Sequence, residues 1–369
     1  MTDLFHRLAS AEKEGALPYI AVPNATHPRW LFPREPRFLR SGSRLLSPQR
    51  ILGKARRVAL WLGLRAGGKV WLRRDAIDNL KNILHAADGA ALAFSLGTPG
   101  AYQKATIQMI NAQGQIIAYA KIAVSPRAPE ALETERRFLE RLRVVPALDD
   151  RVPKVLHWAE WEHKPVLLIS AGPTKRVGYR FGALQETFLL LLASQTKQEH
   201  RWEESPFWKN LCATLNRLKA QIPLQWQQRY EQARDRLMSR LAGYVLPFYV
   251  AHRDFAPWNA RQGGRGLYVF DWEMAKEGYP PLYDFFHYLC IQAALRGART
   301  PVFDPSAVRL LEKIWPNSEE FLAHLYLSYL ADQSLFYLEA RLLAPEVGED
   351  RVLGWLGREL DRALLETPA

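Results

Sequence analysis

"YVAHRDFAPWNARQGGRGLYVFDWEMA", Tyr249–Ala275, sets a His-Arg-Asp, an Asn and an Asp-Trp-Glu within one short span. Two apolar runs, Phe248–Ala251 and Leu267–Phe270, hand straight over to polar residues. A carboxylate is costly to bury without a partner, so strands that end this way are assembling a polar centre. Four residues separate Asp254 from Asn259, and Asp271 lies twelve beyond Asn259. "QGGRG", Gln262–Gly266, supplies the turn of a hairpin. A strand ending in one carboxylate, a tight loop and a hairpin ending in another can converge on one point. Asn259 and Asp271 then offer two hard oxygen donors, which suit Mg2+ with water and phosphate as its other ligands. Asp254 is left to accept a proton from an attacking hydroxyl.

The chain has 369 residues, enough for two or three domains. Its 48% apolar and 24% charged residues are ordinary for a soluble globular protein. No apolar run approaches the roughly 18 residues of a spanning helix. The densest, "FLLLLA" at Phe188–Ala193, reads as a core helix. The N-terminal residues show no signal-peptide core, and Cys212 and Cys290 are isolated, so the expected location is the reducing cytoplasm. The net charge of +12 is uneven. Residues 1–90 hold 16 Lys/Arg against 7 Asp/Glu, residues 91–172 hold 10 against 8, and residues 173–369 hold 24 against 23. The basic excess thus sits away from the polar centre, as expected of an accessory surface.

Residues 1–50 carry six prolines, which forbid a long regular helix and suggest an ordered extension laid over a domain. "RILGKARRVALWLGLR", residues 50–65, reads as a helix with basic and apolar sides, and a second helix is expected from Arg74 to Ala87. Period-two alternation then predicts strands over Tyr102–Ile110 and Gln115–Val124, joined by "NAQG". A helix follows in "PEALETERRFLERLR", and a strand pair in "KVLHWAEWEHKPVLLIS". From Pro173 onward the pattern is mainly helical. Trp202, Trp208 and Trp226 read as core residues.

The set His252, Asp254, Asn259, Asp271 and Asp284, in this order and spacing, resembles the catalytic and metal motifs of the protein-kinase-like superfamily. Within it, "DWE" and the downstream "PPLYDFFHY", Pro280–Tyr288, are similar to the aminoglycoside phosphotransferase and choline kinase family. The resemblance covers roughly residues 91–290. It implies an α+β, bilobal protein-kinase-like fold: a basic N-terminal extension (1–90), a β-rich nucleotide-binding N-lobe (91–172) and a mainly helical, acceptor-binding C-lobe (173–369). It implies ATP and Mg2+ as cofactors. It makes Asp254 the catalytic base with His252 beside it, Asn259 and Asp271 the metal ligands, and Asp284 the brace of the catalytic loop.

The same resemblance calls for a strand lysine and a helix glutamate. "IIAYAKIAV" sets Lys121 inside an apolar strand, where it needs a partner. Glu135 shares a helix face with Leu132, Phe138, Leu139 and Leu142, whereas Glu133 faces the charged side. Glu135 is therefore the expected partner. "SLGTPGAYQK" occupies the place of the phosphate-covering turn, so Gly97 and Gly100 are expected near phosphate, although the loop lacks G-x-G-x-x-G. Ser170 and Gly172 occupy the place of the hinge that meets the base.

The function expected on these grounds is transfer of the γ-phosphate of ATP to a hydroxyl of a small molecule, a sugar or saccharide-linked acceptor included. The alternatives are a non-catalytic kinase-fold binding protein and, less favoured, a protein kinase, against which stands the lack of Asp-Phe-Gly and Ala-Pro-Glu. No nucleic-acid motif accompanies the charge. An anionic membrane surface, reached through residues 50–65 at the inner face of the membrane, is the second expected partner. Arg50, Lys54 and Arg57 should each contribute about 1 kcal/mol near such a surface, screened by salt. Sedimentation with anionic liposomes is then expected at low salt and lost at high salt, with none on neutral liposomes. Equal binding to both lipids defeats the membrane expectation.

Overall fold

The computed structural model describes residues 2–42, 68–299, 303, 305–344 and 351–367, so the basic helix expected over residues 50–65 lies outside the described residues. The chain divides into two units, Met1–Glu140 with Pro153–Gly172, and Arg141–Val152 with Pro173–Ala369.

The first unit is built on an eight-stranded sheet. Its strands are β1 Leu17–Val22, β2 Trp30–Pro33, β3 Gly68–Leu72, β4 Ala91–Ser95, β5 Lys104–Ile110, β6 Ile116–Ala123, β7 Val155–Trp161 and β8 Lys164–Ser170. Their spatial order is β3-β1-β2-β4-β5-β6-β8-β7, with every neighbouring pair antiparallel. Three of the eight, β1, β2 and β3, come from the described residues among the first 90, which join this sheet and are not an extension laid over it. The prolines hid them: β1 and β2 have six and four residues, too short to display alternation among Pro18, Pro23, Pro28 and Pro33. The period of two is nevertheless present. Tyr19 and Ala21 of β1 enter one apolar cluster with Leu31, Phe94 and Ile107, while Ile20 and Val22 enter another with Phe32, Ala93 and Ile110. The helix Arg74–Ile83 covers the first face through Ile77 and Leu80. It stops four residues earlier than expected, where His85 turns left-handed at φ 50°.

β6 carries Lys121 opposite Thr106 of β5 and Leu167 of β8. The helix Ala128–Arg143 follows, burying Leu132, Glu135, Phe138, Leu139 and Leu142.

The second unit is mainly helical, with helices Ala183–Thr196, Pro206–Leu218, Leu224–Leu241, Tyr283–Arg296, Pro305–Ile314, Leu322–Leu343 and Arg351–Glu366. Pro206 opens one of these behind Ser205, whose hydroxyl caps it by accepting from the Trp208 N–H at 3.1 Å. Two three-stranded sheets interrupt the helices. One sets Val245–Ala251 between Gln198–Arg201 and Lys276–Tyr279; the other sets Ala260–Gly263 between Gly266–Val269 and Lys175–Arg176. The outer strand "QEHR" is polar throughout, which explains why sequence patterning passed over it. Among the described residues no helix is long and apolar enough to cross a membrane.

Candidate active site

The strand Val245–Ala251 delivers the chain at His252 into a loop held from below. Asp284, in the first turn of the helix Tyr283–Arg296, accepts the N–H of His252 at 2.8 Å and of Arg253 at 2.9 Å, one on each carboxylate oxygen. Burial raises the Asp284 carboxyl above its ordinary pKa, while His252 and the two N–H donors pull it back. Arg253 takes up left-handed backbone at φ 64°. Its guanidinium is buried against Asp332 at 3.0 Å and lies over the Tyr279 ring at 5.1 Å. Asp332 also accepts from the Tyr283 hydroxyl at 2.5 Å.

His252 is fully buried. Its Nδ1 accepts the Asp254 N–H at 3.3 Å, so Nε2 carries the proton and donates to the Phe270 carbonyl at 3.0 Å. The ring thereby ties the loop to the hairpin. Asp254 itself keeps 36% of its side chain exposed. Asn259 donates from Nδ2 to Asp254 Oδ2 at 2.7 Å and to the Asp254 carbonyl at 3.0 Å.

The hairpin pairs Ala260 with Val269 and closes at Gly263 and Gly266. Phe270 donates its N–H to the Asn259 carbonyl at 3.1 Å, which sets Asp271 one residue beyond a bond to Asn259. Asp271 also has left-handed backbone, at φ 75° and ψ 53°. Such backbone is uncommon outside glycine and clusters at functional sites. Because the Asn259 amide nitrogen is taken by Asp254, its Oδ1 is the end that remains for a cation. An amide oxygen and a carboxylate, one just before and one just after the two strands of the hairpin, fit the donor chemistry of Mg2+.

In the first unit, Lys121 Nζ lies 2.5 Å from both carboxylate oxygens of Glu135, with the glutamate fully buried. Glu133 instead pairs with Arg136 on the solvent side. Gly97 lies in the loop between β4 and β5 at φ 76°, and a Cβ there would meet the Lys104 carbonyl oxygen at 2.2 Å, so only glycine fits. Gly100 accepts the Gln103 N–H at 3.2 Å through its carbonyl and has open space about its α-carbon. Ser170 ends β8, its hydroxyl accepting the Lys154 N–H at 2.9 Å. Gly172 is the last residue of the first unit.

Sequence reasoning missed Asp332, Gln333 and His287. The first two had a signal: they are polar neighbours inside "LYLSYLADQSLFYL", Leu325–Leu338, an otherwise apolar stretch of helix. His287 lies three residues after Asp284 and therefore on the same side of its helix.

Residues 109–321 match the model of the phosphotransferase enzyme family, more than half of the chain. No curated protein sequence matches it. Among solved structures, a thermostable mutant of aminoglycoside phosphotransferase APH(4)-Ia in ternary complex with ADP and hygromycin B has a TM-score of 0.52 at 14% identity, over 79% of this chain and 99% of that one. The GDP and kanamycin complex of APH(2")-IIia has a TM-score of 0.52 at 11% identity, over 78% of this chain and 98% of that one. At such identities the likeness is one of fold: a sheet-rich first part followed by a helical one.

The brace at Asp284 can be tested directly. In Asp284→Asn one acceptor becomes a donor facing a backbone N–H, which should cost about 1–3 kcal/mol of local stability. Amide hydrogen exchange at His252 and Arg253 is expected to speed up about tenfold or more, with the core strand Phe248–Ala251 little changed. Unchanged exchange at both amides excludes the brace.

Proposed function

The chain belongs to the phosphotransferase enzyme family, and on that premise we propose that it transfers the γ-phosphate of ATP to a small-molecule hydroxyl. The observation that carries the reading is Asp254: a carboxylate on a loop braced by Asp284, oriented by Asn259 and still 36% exposed. That is the state a general base needs, because the acceptor must reach it while its own rotation is restrained.

In this reading the acceptor hydroxyl gives its proton to Asp254 as its oxygen bonds to the γ-phosphorus. The bond from that phosphorus to the β,γ-bridging oxygen breaks, and ADP leaves with the electron pair. Asn259 and Asp271 would hold Mg2+, which would supply positive charge to offset that of the phosphates. In the first unit Lys121, steered by Glu135, and the backbone about Gly97 and Gly100 are the phosphate-binding groups of this reading. Ser170 and Gly172 offer backbone to the base. His252 and Asp284 keep the loop in place. Catalysis is then mostly positioning and electrostatics.

Nucleotides in the two similar structures, ADP and GDP, support nucleotide use. Their hygromycin B and kanamycin support a polyhydroxylated small molecule as acceptor. A sugar or saccharide-linked hydroxyl is the acceptor class that we favour. In the second part of the chain 24 Lys/Arg nearly balance 23 Asp/Glu, without the acidic excess that would favour a polycation.

The test is incubation with ATP and a cell metabolite and glycan extract, with phosphorylated products read by mass spectrometry. Asp254→Asn is expected to lower product formation by about 10²–10⁴-fold while nucleotide binding persists. Turnover near that of the wild type excludes Asp254 as the base. A magnesium titration separates the two metal ligands. Asp271→Ala, which loses charge and oxygen together, should shift the requirement further than Asn259→Ala; an unshifted titration in Asp271→Ala excludes the metal role.

A further inference from the structure

His287 has no part in the roles above, yet its ring touches the carboxylate on which they depend. It sits on the helix Tyr283–Arg296 with 1% exposure, and its Nε2 is 3.3 Å from Asp254 Oδ1. Its Nδ1 is 2.9 Å from the amide nitrogen of Gln333. That same nitrogen lies 3.5 Å from the Arg253 carbonyl oxygen. The Arg253 carbonyl can only accept, which places the nitrogen end of the amide on this side, and the Asp254 carboxylate opposite Nε2 can only accept as well. The Gln333 Oε1 lies 3.1 Å from the Tyr283 hydroxyl, whose one proton is shared with Asp332. Nδ1 of His287 therefore accepts, and the single proton of the neutral imidazole resides on Nε2, directed at Asp254.

We propose that His287 is a positioning residue for phosphoryl transfer, donating through Nε2–H to Oδ1 of Asp254 while Asn259 holds Oδ2. The inference rests on the reading of Asp254 as the base. A half-exposed aspartate restrained at one oxygen still swings about its χ2 axis; a donor on each oxygen fixes the plane. Each carboxylate oxygen has two lone-pair sites, so two donors leave room for the proton of the acceptor. Gln333, with the Tyr329 hydroxyl 3.4 Å from the same Nδ1, holds this tautomer. The helix Leu322–Leu343 thus reaches the base through Gln333 and His287.

The test has a spectroscopic arm and a kinetic arm. Nitrogen spectra of the whole protein carrying 15N-histidine should show His287 protonated at Nε2 and bare at Nδ1, with Nε2 shifted in Asp254→Asn. Rates are read as ADP release from Mg2+-ATP with water as the acceptor. His287→Leu should lower kcat about tenfold, the scale of a hydrogen bond to a charged group, with KM for ATP unchanged. His287→Gln, whose side-chain amide reaches the place of Nε2, should recover most of that loss. A residue that only fills space would not separate Gln from Leu. Protonation at Nδ1, an Nε2 signal indifferent to Asp254→Asn, or a Gln variant no better than Leu overturns the proposal. The two readings fail separately. Unchanged ADP release in Asp254→Asn defeats the base, whereas loss there with wild-type rates in both His287 variants defeats only the positioning role. Should His287→Leu unfold, the wild-type spectrum and the Gln variant still decide it.

Discussion

Two backbone N–H groups bound to one buried carboxylate, those of His252 and Arg253 on Asp284, are the contact on which the rest of the site depends. Left-handed backbone at a long side chain such as Arg253 costs about 1–3 kcal/mol and persists only where its surroundings over-determine it. Charge-assisted bonds are the stronger kind, and here they fall on consecutive residues at the point where the strand ends. The turn that they enforce sends neighbouring side chains apart. The guanidinium of Arg253 goes inward to Asp332, while Asp254 stays open to solvent. A loop free to relax at Arg253 would lose that division.

The buried charges serve the same end. Taking ions from water costs several kcal/mol each, so a buried pair is weak evidence of added stability. Arg253 with Asp332, and Lys121 with Glu135 in the first unit, are better understood as devices for direction. Each holds a long side chain in one place, and removing either partner would strand a charge in the interior. From the helix Leu322–Leu343, Asp332 also takes the Tyr283 hydroxyl, one residue before Asp284. The brace and the anchor of the loop are thereby locked to each other through two adjacent residues.

The sequence was most informative where chemistry and chain order coincide. A strand, a loop and a hairpin suffice to bond Asn259 to Asp254 and to set Asp271 one residue beyond the Phe270–Asn259 backbone bond, and local spacing reports such an arrangement. The choice of Glu135 over Glu133 followed from helix faces alone, and in the structure Lys121 meets Glu135 while Arg136 takes Glu133. Contacts made across the fold were silent. Gln333 meets His287 from 46 residues away and Asp332 meets Arg253 from 79, distances over which no periodicity carries information. The polar pair inside the apolar helix Leu322–Leu343 announced that something buried required partners, but not which residues would supply them. The strands among the early prolines were illegible for a different reason: their alternation is real but too brief to stand out from the turns around it.

Three aspartates in this unit show how surroundings, more than residue type, divide the work. Asp284 spends both oxygens on backbone N–H groups and is 6% exposed. Asp332 spends its oxygens on an arginine and tyrosine hydroxyls and is 5% exposed. Asp254 also has a donor on each oxygen, yet 36% of its side chain is exposed. Hydrogen-bond count therefore does not distinguish it; access does. A proton from outside can reach only a carboxylate with an open side, and of the three only Asp254 has one. The other two, closed to solvent, can do no more than hold backbone and side chains still, which is what leaves the third at rest in a single orientation.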